Sequence, residues 1–191
     1  MTALFGAGSA ASALRFLEAA FRAERGVFSY RHSFVATRDH VVIGLSMVWR
    51  LEAASAHQRA VFWQLLRHHR PGAWARIIAR AVGVAWAMPR TPRHGAYVGT
   101  VAVAPEARGL GVADWLLAAC ESRAREEDAG VLYAHVATDN RSCLRMLHRH
   151  AFTVLRRGAG PEAGDGARLA AQLLFHKELT PPPRERPGRA S

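Results

Sequence analysis

Lysine is almost missing from this chain. Of its 26 basic residues only Lys177 is a lysine, and all the others are arginine. Against 15 acidic residues this leaves a formal charge of +11. A surplus of that sign attracts phosphates and other anions. Arginine and alanine enrichment together is also what a GC-rich coding bias produces. No reading motif or basic stripe accompanies the arginines, which sets nucleic-acid binding aside.

Cysteine is equally scarce. Cys120 and Cys143 are the only two, and they make neither a metal-ligand spacing nor a disulfide framework. No metal is expected. Cys120 falls in an apolar helical pattern and reads as a small buried hydrophobe. Long apolar runs are absent too. The best, residues 81–88, is hemmed in by Arg80 and Pro89 and is too short for a span of about 20 residues. Arg15 interrupts the only apolar stretch near the N-terminus and no basic segment precedes it, so no signal peptide is read. These absences predict a cytoplasmic protein without membrane contact. No repeat period is visible. With 191 residues, half of them apolar and 21% charged, the chain suits one medium globular domain.

Along the chain, residues 10–24 have helical spacing, with Leu14, Leu17 and Phe21 apolar. Residues 27–37 and 41–50 read as a hairpin about the turn Arg38-Asp39-His40. Residues 52–70 and 73–88 read as two inserted helices parted by Pro71-Gly72. Residues 96–104 are a strand, with Tyr97, Val101 and Val103 on one face and Val98, Ala102 and Ala104 on the other. Two apolar faces place it inside a sheet. A helix is expected over about 112–126, a strand over 131–137, a helix over 140–150, and strands over 151–157 and 169–179. The proline-rich tail from Thr180 is expected to be disordered. The order predicts a mixed α/β domain over 1–179, interrupted by a helical insertion at about 52–90.

The most informative stretch is Val101–Ala113. A buried strand runs into a loop holding Arg108, Gly109, Leu110 and Gly111, which opens directly into the helix at Val112 and Ala113. Glycines let a ligand come close to the backbone. The helix start adds unpaired N–H groups and a positive dipole end. Together they suit a phosphate, with Arg108 as a fixed charge at the rim. The P-loop pattern is absent. The dinucleotide fingerprint fails at Asp114, where a third small residue is needed.

This stretch resembles the acyl-CoA-binding segment of the GNAT superfamily of N-acetyltransferases, whose signature [RQ]xxGx[GA] is filled in register by Arg108, Gly111 and Ala113. A second segment matches downstream: Asn140, then a helix, then Phe152 opening a strand, with Cys143 in a small-residue place. The resemblance covers about residues 28–50 and 96–179. It implies a central mixed, mostly antiparallel sheet flanked by helices, and transfer of an acetyl group from acetyl-CoA to an amine. It implies that the backbone of Arg108–Ala113 holds the pyrophosphate. The strand edge at Val101, Ala102 and Val103 would pair with the pantetheine arm, and Asn140 would bond that arm. The alternative role for Asn140 is a helix N-cap, and the two can coexist.

Three departures accompany the match. Leu147 stands where relatives carry a tyrosine that protonates the leaving thiolate. Ala151 stands where they carry glycine. Only about 26 residues precede the first strand, enough for one helix, so the family's first strand is expected to be missing or replaced. Candidates for the lost acid or for a base are Ser142, Cys143, His148, Tyr133, His135 and Glu52. Cys143 could act as an acylated nucleophile, and His135 has a pKa suited to a base. An impaired acyl-CoA-binding module is the alternative reading. The inserted helices carry Phe62, Trp63, Leu65, Leu66, Trp74, Ile77, Ile78 and Trp86. That surface suits packing onto the domain, a wall of the acceptor pocket, or a homodimer interface.

Overall fold

The computed structural model describes residues 10–69, 72, 74–75, 77–79, 82, 88–158 and 171–180. Trp86 and the tail beyond Thr180 lie outside the described residues. The first described element is helix α1, Ala10–Arg22. Its buried stripe is Ala13, Phe16 and Ala20, one residue round from the expected Leu14–Leu17–Phe21 stripe, and Leu14 is 59% exposed. Small residues let α1 lie close to helix α2, Ala54–His68. Leu65 of α2 and Ile77 close a small core with α1. The described residues between 72 and 82 are helical.

The hairpin is shorter on its first side than the pattern predicts. The Ser29 hydroxyl accepts from Arg31 N–H at 3.2 Å and caps a single 3-10 turn, Tyr30–His32. Strand β1 therefore starts at Ser33 and runs to Arg38, and β2 spans Val41–Arg50. Asp39 and His40 both take positive φ, 50° and 64°, the geometry that matches a tight turn to the twist of its strands.

β3 is Ala96–Val103, α3 is Val112–Glu126, β4 is Val131–Ala137 and α4 is Arg141–Arg149. β5, Thr153–Arg157, and β6, Gln172–Glu178, follow. Among the described residues six strands form one sheet, ordered β1-β2-β3-β4-β6-β5. Only the β3–β4 pair is parallel. The expected mixed, mostly antiparallel sheet with flanking helices is what forms.

Helices α3 and α4 cover one face. Leu117, Cys120 and Ala124 of α3 and Met146 and Leu147 of α4 pack on Val98, Leu132, Ala134, Val136, Leu173 and Phe175. The expected faces of β3 need one correction. The register steps from Thr100 opposite Met47 to Val98 opposite Val48, leaving Gly99 as an extra residue. This bulge puts Val98 and Val101 on the same core and turns Tyr97 to the other face. There Tyr97 meets the Trp49 indole at 5.0 Å between ring centroids. A Cβ at Gly99 would collide with that indole, so the bulge requires glycine.

The insertion leaves and rejoins the sheet at one point. Leu51 N–H donates to Gly95 C=O at 2.9 Å. Glu52 accepts from Gly95 N–H at 3.2 Å and from the Arg50 guanidinium at 2.9 Å through both carboxylate oxygens. Among the described residues no helix is long and apolar enough to cross a membrane.

Candidate functional site: a parted strand pair ending in an anion cradle

β3 and β4 pair through only three residues, Ala96↔Leu132, Tyr97↔Tyr133 and Val98↔Ala134. Beyond Val98 the strands part. On its β2 side β3 stays paired as far as Val103, so one edge of Val101, Ala102 and Val103 is backbone without a sheet partner. On its other edge β4 is paired with β6 along Val131–Ala137. An unpaired strand edge can bond an extended ligand.

The open edge leads to the glycine turn. A 3-10 turn, Pro105–Ala107, ends at Arg108. Gly109 and Gly111 then take φ of 80° and 76°, and Gly111 caps α3. Nothing lies within 4 Å of a Cβ built on either. The backbone N–H groups from Gly109 to Asp114 make no hydrogen bond to a described residue, and the first one used is that of Trp115, to Gly111 C=O. Six successive free donors running into a helix start suit an anion. Arg108 is exposed. Leu110 is 60% exposed.

Asn140 caps α4, its Oδ1 accepting from Cys143 N–H at 3.2 Å. Its amide N–H₂ makes no bond to a described residue and is exposed. Cap and ligand contact therefore use different atoms of one side chain.

The acid–base candidates are spread out. Glu52 sits at the base of the insertion, and the Arg50 guanidinium holds its carboxyl down at about 2. His135 uses both ring nitrogens: Nδ1 meets Tyr97 Oη at 3.0 Å, and Nε2 meets Pro89 C=O at 2.9 Å. A carbonyl only accepts, so Nε2 carries the proton and the Tyr97 hydroxyl donates to Nδ1. Burial lowers the His135 pKa and pushes the Tyr97 hydroxyl to about 12. Tyr133 is 7% exposed, and burial raises its pKa. Cys143 packs against the core, and burial raises its thiol pKa, which keeps thiolate scarce at neutrality. Ser142 and His148 are exposed on α4, and His148 lies edge-on to Phe175 at 5.4 Å. Leu147 is 1% exposed within the core. Among the described residues no group of His, Cys, Asp and Glu could hold a metal ion.

Two relationships had no signal in the sequence. Tyr97 joins His135 across the seam where the strands part. Asp114 in the first turn of α3 is bonded by Arg149 and His150 at the end of α4. Both depend on which strands and helices become neighbours, which local patterns do not encode.

No curated protein matches the chain. Solved structures share its fold. An acetyltransferase is 16% identical, covering 93% of this chain and 85% of its own, with a TM-score of 0.64. An N-acetyltransferase from Staphylococcus aureus Mu50 is 16% identical, covering 88% and 82%, with a TM-score of 0.64. Chaetomium thermophilum Naa20, solved with a bisubstrate analogue, is 19% identical, covering 87% and 73%, with a TM-score of 0.53. The model of the acetyltransferase (GNAT) family matches residues 45–152, more than half of the chain and the whole of the parted strand pair, cradle and Asn140 helix. The chain thus belongs to the GNAT acetyltransferase family.

Proposed function

We propose that this protein transfers an acetyl group from acetyl-CoA to an amine in the cytoplasm. The observation that carries the reading is the continuity of the unpaired β3 edge with six free N–H groups at the start of α3. An extended pantetheine arm suits the first and a pyrophosphate suits the second. Gly109 and Gly111 leave the approach open, Arg108 adds charge at the rim, and the free Asn140 amide stands ready to bond the arm.

In this reading backbone N–H groups near Val101–Val103 polarise the thioester carbonyl. The amine nitrogen attacks the carbonyl carbon, the C–S bond breaks, and the thiolate leaves. The side chains divide into supports and spectators. Glu52 is a clamp for the insertion, since a carboxyl titrating near 2 is a feeble base at neutrality. His135 is a brace, with both nitrogens engaged. Water takes the ammonium proton, and the thiolate departs without a dedicated acid.

Calorimetry with acetyl-CoA tests the binding step, and thiol release against a panel of amines, polyamines, amino acids and peptides tests turnover. Gly111→Asp is expected to abolish binding while the protein stays folded: the site has room for a side chain, Asp tolerates positive φ, and its carboxylate repels the pyrophosphate. Unchanged affinity would place the pyrophosphate elsewhere. The buried Leu147, lacking any hydroxyl, favours a second reading, an acyl-CoA-binding module with little turnover. Binding without thiol release across the panel would select it.

A further inference from the structure

We propose that Arg149 and His150 are positioning residues for the anion cradle, holding the Asp114 carboxylate away from the backbone donors that bind the ligand. The inference rests on the acetyl-CoA reading of that cradle. Asp114 is the third residue of α3, and its own N–H is one of the six free donors. A carboxylate at this position is drawn to the positive end of the helix and can reach back to the N–H of the capping residue. There it would compete with a phosphate for the same donors and repel its charge.

The structure sends it the other way. Arg149 Nη2 lies 2.8 Å from Asp114 Oδ1 and 3.1 Å from Oδ2, and His150 Nε2 lies 3.0 Å from Oδ1. Both partners belong to the end of α4, so the carboxylate is pinned across the two helices. His150 is itself fixed on its other side, with Nδ1 3.5 Å from Glu121 Oε1. The Arg149 hydrogen bond is the main cause holding the Asp114 carboxyl below its ordinary pKa. The charge is therefore balanced by partners and not removed by a proton.

The test uses four full-length proteins: wild type, Arg149→Gln, Asp114→Asn and the double variant. Both sites are exposed enough, with side chains 59% and 36% accessible, for the variants to fold. CoA and 3′-dephospho-CoA are titrated into each by calorimetry. Arg149→Gln is expected to weaken both ligands about tenfold, as an unbalanced charge near the pyrophosphate does. Asp114→Asn is expected to bind at least as tightly as wild type, and the double variant to regain wild-type affinity. Equal affinity of Arg149→Gln and wild type overturns the inference. So does a loss that the double variant fails to recover, or one seen with CoA alone, since either means that Arg149 touches the ligand directly. If wild type binds neither compound, the reading of the cradle falls, and the inference with it.

Discussion

Lys177 Nζ lies 2.7 Å from Glu121 Oε1. The chain's single lysine is thus paired with a carboxylate that is 8% exposed on the inner side of α3. Arg125 and His150 approach the same carboxylate at 3.3 and 3.5 Å, and the Phe152 ring lies 5.8 Å from the ammonium. The pair joins α3 to β6 beneath the end of α4.

Removing Lys177 takes the shortest of the three contacts away from the buried Glu121 carboxylate and leaves it to the longer ones from Arg125 and His150. Lys177→Met is expected to cost about 3 kcal/mol. The double change Lys177→Met, Glu121→Leu is expected to cost less than Lys177→Met alone, because no buried charge remains. Urea unfolding of the three proteins checks this, and a single change that costs nothing would show that Arg125 and His150 suffice.

The end of α4 offers a stabilising change. Ala151 takes φ of 60°, while Phe152 N–H bonds Leu147 C=O and Ala151 N–H bonds His148 C=O, each at 3.0 Å. This closing pattern normally has glycine in the left-handed position. Ala151→Gly is expected to gain about 0.5–1 kcal/mol, relief of strain outweighing the greater freedom of the unfolded chain. Thermal melting should move up by about 2 °C; a fall would mean that the methyl group packs usefully.

Gly99 makes the opposite case. Gly99→Ala is expected to cost about 2 kcal/mol or more by overpacking on Trp49. Gly99→Ala in a Trp49→Leu background should cost clearly less, since the indole is gone. Equal costs in the two backgrounds would locate the strain in the bulge backbone.

Acid–base chemistry should leave little trace in side chains. With water as proton acceptor, kcat/KM for a primary amine should rise about tenfold per pH unit from 6 to 8. An inflection near 6.5, the ordinary range of histidine, would identify a protein base. Glu52→Gln, Ser142→Ala, Cys143→Ala and His148→Ala should each lower kcat less than about tenfold. A loss beyond a hundredfold with CoA affinity intact would reveal the acid or base.

Local patterns made much of this legible. Helix 112–126 and strand 131–137 form at the expected residues because apolar spacing and flanking glycines agree there. The cradle was readable because Gly109, Gly111 and a helix start adjoin in sequence. The α1 stripe was not, since small alanines and not the larger Leu14 face α2. Nor was the bulge at Gly99, which shifts side chains to opposite faces without changing composition. The Tyr97–His135 and Asp114–Arg149 bonds join residues far apart in the chain, and they exist only once the sheet order is set.

The bond from Leu51 to Gly95 has a consequence for how such a chain diversifies. Topologically, residues 51–95 are one overgrown hairpin turn between β2 and β3. Closing so long a turn costs about 2 kcal/mol more than a tight one, a debt that the small core of Phe16, Leu65 and Ile77 can offset. Its two ends touch, so the stretch between Glu52 and Pro89 can be lengthened, exchanged or pared back without disturbing the register of either strand. Innovation can proceed on this appendage while the cradle beyond the other end of β3 stays untouched.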